Sequence, residues 1–407
     1  MARARELGIV VGTLPPGAWN AITDVPAVRV GHETIVEGDD VRTGVTVVFP
    51  HEGFPWAEPV FAGAHRLNGN GELTGLEWIR ESGMLHSPVA LTNTHSVGVV
   101  RDALVAWEVE TRDGRGDFWS LPVVAETWDG VLSEVNGMHV HATHARAAID
   151  AASSGPVAEG CVGGGTGMIC HGFKGGIGTA SRVVAEAGDA TVGVLVQANQ
   201  GSRNELRVAG YPVGREVPTS VIPSPGAFDA GGAGSIIVVV ATDAPLLPTQ
   251  CARLAQRAGL GVARAGGLGE HFSGDLFLCF STANRGLPPN ELANDVPCEV
   301  SVRMLSNRWI TGLFQAVVEA TEEAIVNALL AAETTRGKGG RIAHALAPEH
   351  LVGALERLGW SREREPGEGA EARAPPTPDL SFRRRRPGST SRRPATTRRR
   401  ARPPSAS

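Results

Sequence analysis

The chain has 407 residues, with 43 acidic and 38 basic side chains, a net charge of −5 and 42% hydrophobic residues. That is the balance of a globular protein able to bury a large core. Ten arginines and no acids fall within residues 383–407, leaving 28 basic against 43 acidic groups elsewhere, which excludes a basic nucleic-acid-binding body.

The N-terminal MARARELGIVVGTLPPG has only a short apolar run before Pro15, and no later run is long enough to cross a membrane. Five widely spaced cysteines without a CxxC pair fit reduced thiols, so a cytoplasmic location is expected. Apolar, β-rich runs then recur: GVTVVF (44–49), SVGVV (96–100), TVGVLVQAN (191–199), SIIVVVATD (235–243) and DLFLCFSTAN (275–284). They alternate with helical, Ala-rich stretches at 142–153, 248–265 and 313–332. Unbroken apolar strands imply sheets covered by helices. Residues 202–234 are rich in Pro and Gly and read as a long loop. The expected organisation is one folded domain over 1–360 and a disordered Arg/Pro-rich tail over 366–407. Only that tail suits nucleic acid or an anionic surface.

Several segments offer chemistry. NGNGELTG (68–75) and AETWDG (125–130) set the acids Glu72, Glu126 and Asp129 beside turn residues, where each suits either an ammonium group or a cap. HVHATH (139–144) brings three histidines together without a carboxylate or thiol at ligand spacing, so no metal is expected there. The glycine-dense run 159–182 lacks the context of a nucleotide-binding motif and suits close-packed backbone. Its Lys174, one of two lysines, is either a site residue or an exposed loop charge. Asn199 ends an apolar strand, where a side-chain amide can donate to an oxyanion or simply make a turn. Ser273 and Asp275, at i and i+2, share a face if extended. Ser235 stands at the seam between DAGGAG and a buried strand. It is either a nucleophile freed by cleavage of the Gly234–Ser235 bond, with its own amine as base, or a turn residue.

Taken together, NAITDVPAVRVGH (20–32), RTGVTVVFP (42–50), NGNGELTG, LTNTHSVG (91–98), ETWDG (126–130), GGGTGMIC (163–170), FKGGIGTASR (173–182), TVGVLVQAN, GSIIVVVATDAPL (234–246) and SGDLFLCFSTAN (273–284) resemble the L-aminopeptidase/D-esterase (DmpA-type) family, which includes β-peptidyl aminopeptidases. The resemblance implies a four-layer α/β/β/α sandwich, shared with the ornithine acetyltransferases and similar to but topologically distinct from the Ntn-hydrolase fold. It implies a self-processing serine aminopeptidase without a cofactor, acting on small peptides, amides or esters. Cleavage before Ser235 would give an α chain 1–234 and a β chain 235–407, assembled as a tetramer of αβ units. Ser235 would be the nucleophile, Asn199 an oxyanion donor, Ser273 and Asp275 its support, and Glu126 the holder of the substrate amine. Some members have Tyr where this chain has Trp128, so a phenol's role does not carry over. An ornithine acetyltransferase-like acyltransferase is the alternative, although those enzymes use Thr at the processing site. A non-catalytic binding protein on the same fold is the third reading.

Overall fold

The computed structural model describes residues 2–114, 117–226, 234–289 and 296–362; the tail and residues 229–233 of the DAGGAG seam lie outside them. Residues Met1–Glu363 group into one compact unit. In chain order the strands are β1 (Arg29–Glu37), β2 (Val41–Phe49), β3 (Val60–Gly69), β4 (Met84–Leu85), β5 (Val89–Asn93), β6 (Val123–Thr127), β7 (Ile169–Cys170), β8 (Phe173–Lys174), β9 (Gly176–Val184), β10 (Ala190–Asn199), β11 (Ser235–Thr242), β12 (Gly274–Ser281), β13 (Thr335–Arg336) and β14 (Ile342–Ala343). The helices are α1 (Leu76–Ser82), α2 (Val97–Arg112), α3 (Ala142–Asp150), α4 (Val213–Glu216), α5 (Pro248–Arg264), α6 (Ile310–Ala331) and α7 (Pro348–Arg357).

Two sheets carry the architecture. One has the order β1-β2-β5-β6, the other β4-β3-β12-β11-β10-β9. The first pairs antiparallel except for β5 with β6, the second antiparallel except for β11 with β12. β11 shows why the strands read as unbroken apolar runs. Ile236, Val238 and Val240 face a core shared with α5 and α6. Ile237, Val239 and Ala241 face a second core shared with Val48, Leu91 and Ala125 of the other sheet. A third core joins Val45, Val47 and Val124 to α2 and α3. The layers are therefore α/β/β/α, as expected, and period-2 alternation places both faces of the middle strands in apolar surroundings.

Two expectations change. SVGVV is not a strand but the start of α2, where Val97, Val100, Leu104 and Trp107 are buried at helical spacing. Five apolar residues alone do not separate the two periods. The segment after Ser202 is not a bare loop either. Buried Arg203 donates to the carbonyls of His171 (2.9 Å), Gly172 (2.7 Å), Val217 (3.0 Å) and Ile222 (2.9 Å). One guanidinium thus satisfies carbonyls that an irregular segment would otherwise bury unpaired.

Candidate active site

The sheet registers bring strand ends together. Asn199, last in β10, lies directly opposite Ser235, first in β11. On the other side of β11, Ile236 pairs with Asp275 of β12. Ser235 and Asn199 are both buried, and Ser235 lines a cleft of about 580 Å3 together with Asn70, Gly71, Glu72, Thr94, Glu126, Trp128, Gly234 and Phe272.

Ser235 Oγ accepts the Gly274 N–H at 3.0 Å, which leaves its own proton available for transfer. Just beside it, Ser273 Oγ donates to Asp275 Oδ1 at 2.6 Å. Burial pushes the Asp275 carboxyl up to about 6, with Glu270 adding to the rise, while the Ser273 hydroxyl and the Ile236 amide hold it down. Asn199 Oδ1 accepts the Ile169 N–H at 2.7 Å, and Nδ2 donates to the Trp128 carbonyl at 3.0 Å. These partners fix which end of the amide is nitrogen. An amide nitrogen carries two protons, so one N–H remains for a ligand.

Glycines set two close approaches. A Cβ on Gly234 would stand 1.9 Å from the Asn199 carbonyl oxygen, so only glycine fits on the N-terminal side of Ser235. A Cβ on Gly71 would meet Glu126 Oε1 and Gly274 Cα, each at 3.1 Å. The NGNGE ribbon therefore runs close to both the acid and the backbone that touches the serine.

Glu126 is buried on β6. It accepts the Glu72 N–H at 3.0 Å and the Thr94 hydroxyl. Burial raises its pKa against those two hydrogen bonds. A carboxylate at the wall of a cleft, each oxygen accepting one hydrogen bond and keeping a further lone pair, is suited to an ammonium ion. Trp128, 39% exposed, also lines this cleft.

The other candidates sit elsewhere. Glu72 is exposed at the cleft, whereas Asp129 is fully buried and does not line it; burial pushes its carboxyl up to about 7. Lys174 is neither exposed nor in the cleft. It is fully buried and donates to the carbonyls of Gly165 (3.1 Å) and Gly175 (2.8 Å). The glycine-dense run is close-packed backbone: a Cβ on Gly164 would stand 2.0 Å from Gln197 Oε1. The His141 N–H is capped by His144 Nδ1 at 3.0 Å at the start of α3. Among the described residues no three His, Cys, Asp or Glu side chains gather as a metal-ligand set. Sequence reasoning assigned no role to Asn70, Thr94 or Phe272, all of which line the cleft. Asn70 and Thr94 lie inside quoted motifs, but Phe272 carried no signal beyond preceding Ser273.

The sequence profile of peptidase family S58 matches residues 20–343. The chain belongs to peptidase family S58. A β-peptidyl aminopeptidase, BapA of Sphingosinicella microcystinivorans, is 48% identical over 373 residues, covering 87% of this chain and 92% of its own. Among solved structures, a Burkholderia sp. β-aminopeptidase is 55% identical with a TM-score of 0.84, covering 88% of this chain and 100% of its own. The L-aminopeptidase D-Ala-esterase/amidase of Ochrobactrum anthropi, a serine-aminopeptidase prototype with a new variant of the Ntn-hydrolase fold, is 43% identical with a TM-score of 0.80, covering 88% of this chain and 99% of its own. Both the expected family and the expected class, a serine aminopeptidase of α/β fold, are borne out by these S58 relatives.

Proposed function

We propose that this S58 peptidase activates itself by cutting the Gly234–Ser235 bond and then releases N-terminal residues from small peptides, amides or esters. The observation that carries the reading is the meeting of Ser235 and the buried Glu126 at one cleft, with Asn199 paired directly opposite the serine. Self-cleavage starts with Ser235 Oγ attacking the Gly234 carbonyl. The amide nitrogen leaves as the new α-amine, and water hydrolyses the resulting ester. The folded domain of 1–360 then consists of an α chain 1–234 and the body of a β chain 235–407, the latter carrying the tail.

In turnover, Glu126 holds the substrate ammonium and so places its carbonyl at Ser235. The freed amine, titrating near 8, takes the Oγ proton as the acyl-enzyme forms and returns it to the leaving amine or alcohol; water then hydrolyses the ester, releasing the N-terminal residue and restoring the Oγ proton. The free Asn199 N–H donates to the oxyanion. Ionised Asp275 orients the Ser273 hydroxyl beside the nucleophile. Neither step calls on a metal or cofactor. No helix among the described residues is long and apolar enough to cross a membrane. A cytoplasmic tetramer of αβ units is the assembly this reading carries, and it assigns no nucleic-acid partner to the folded domain; only the Arg-rich tail has the charge to meet one.

Denaturing electrophoresis and intact mass of the purified protein test the processing. Two fragments meeting at Gly234/Ser235 are expected, with activity on aminoacyl amides and none on acetyl-ornithine. A single 42.5 kDa chain that is inactive would overturn the reading.

The pH profile tests Asp275. If its ionised form serves Ser273, protonation near 6 costs activity, in addition to the loss from protonating the Ser235 amine. The limiting acid-side slope of log kcat/KM is therefore expected to fall by one in Asp275→Asn. An unchanged slope would leave Asp275 with a structural role.

A further inference from the structure

We propose that Phe272 is a specificity-determining residue that, with Trp128 in the same cleft, selects substrates whose N-terminal residue bears a large apolar or aromatic side chain. The inference deepens the aminopeptidase reading and rests on it. Phe272 is 62% exposed, yet it lines the cleft that holds Ser235. Its backbone is tied down from both sides. Asn70 Nδ2 donates to the Phe272 carbonyl at 2.9 Å, the Asn70 N–H to Ser273 O at 3.2 Å, and the Ser273 N–H to Glu270 O at 2.9 Å. Asn68 Nδ2 holds the Glu270 carbonyl as well. The His271 ring stands edge-on to the phenyl at 4.7 Å. A large apolar ring held in water beside a nucleophile has surface to bury when a ligand arrives.

Position identifies the ligand group. Phe272 lies two residues before Gly274, whose N–H binds Ser235 Oγ. Trp128 lies two residues after Glu126, the group assigned to the substrate ammonium. A substrate's side chain branches from the short link between its amine and its carbonyl. With the amine at Glu126 and the carbonyl at Ser235, that branch emerges inside the cleft that both rings line.

The test is kcat/KM for the p-nitroanilides of Gly, Ala, Leu and Phe with wild type, Phe272→Ala and Phe272→Leu. The wild type is expected to favour Phe and Leu over Gly. Phe272→Ala should lower the Phe-to-Gly ratio about tenfold, and Phe272→Leu should restore much of the ratio for Leu. An unchanged ratio, or a change in oligomeric mass without a change in ratio, overturns the assignment: the ring would then face a second copy through the nearby exposed Leu67 and Leu268. A wild type that releases no p-nitroaniline from any of the four, nor from the matching β-amino acid anilides, overturns the aminopeptidase reading as well, a result distinct from an active enzyme with a flat ratio; an enzyme active only on the β set has its ratio read there.

Discussion

Alanine at position 235 is expected to leave one uncut chain of 42.5 kDa with aminopeptidase activity at background. Both steps proposed for this protein use the same oxygen, so one substitution removes both. Loss of an activated serine nucleophile in a hydrolase costs about 10⁶-fold in turnover, beyond the floor of most amide assays. The fold should survive. Ser235 is buried at the head of β11, alanine fills nearly the same volume, and the main loss is the Oγ acceptor of the Gly274 N–H. One such hydrogen bond is worth about 1 kcal/mol, which in a domain this long is a shift of about 1–2 °C in Tm that calorimetry would register without unfolding. Ser235→Cys separates the chemistry from the packing. A thiol is itself a nucleophile, so slow processing in the cysteine variant, with none in the alanine variant, points to the side-chain heteroatom. A processed and active Ser235→Ala protein would sink the mechanism.

The layered fold was legible because its strands are buried on both faces. VGVLVQAN and SIIVVV could be read as core strands from composition alone, and α5 and α6 from period. What composition does not encode is which strand ends meet. Asn199 and Ser235 lie 36 positions apart in the chain, and only the antiparallel register of β10 and β11 makes them neighbours. Glu126 comes from the other sheet, so its place in the cleft depends on how the two sheets stack. The set of motifs in order supplies that information through family resemblance, which points to those residues independently of the geometry. Lys174 shows the opposite case. A lone lysine in a glycine run looks exposed or functional, but here the glycines let backbone carbonyls close around its ammonium group. Phe272 was illegible for a different reason: its importance lies in exposure, and an aromatic residue in a sequence reads as core.

Asn199→Ala is expected to lower kcat by about 10²–10³-fold with a smaller change in KM, the cost of one oxyanion donor. The geometry makes the prediction specific. Asn199 Nδ2 already gives one proton to the Trp128 carbonyl, and Oδ1 is engaged by the Ile169 N–H, so the amide cannot swing away and its second N–H keeps one direction on the strand pair that holds Ser235. A donor fixed in advance contributes most when charge develops, since it needs no reorganisation. The same bonds make the substitution structurally costly: alanine leaves the Ile169 N–H and the Trp128 carbonyl without these partners in a buried place. Asn199→Asp distinguishes the two effects. An aspartate keeps the acceptor for Ile169 but puts negative charge where the oxyanion would form, so its kcat should fall at least as far as that of alanine, while the Ile169 contact survives. If the aspartate variant instead turned over at near the wild-type rate, Asn199 would be a structural clamp between β7 and the Trp128 turn rather than part of the catalytic site.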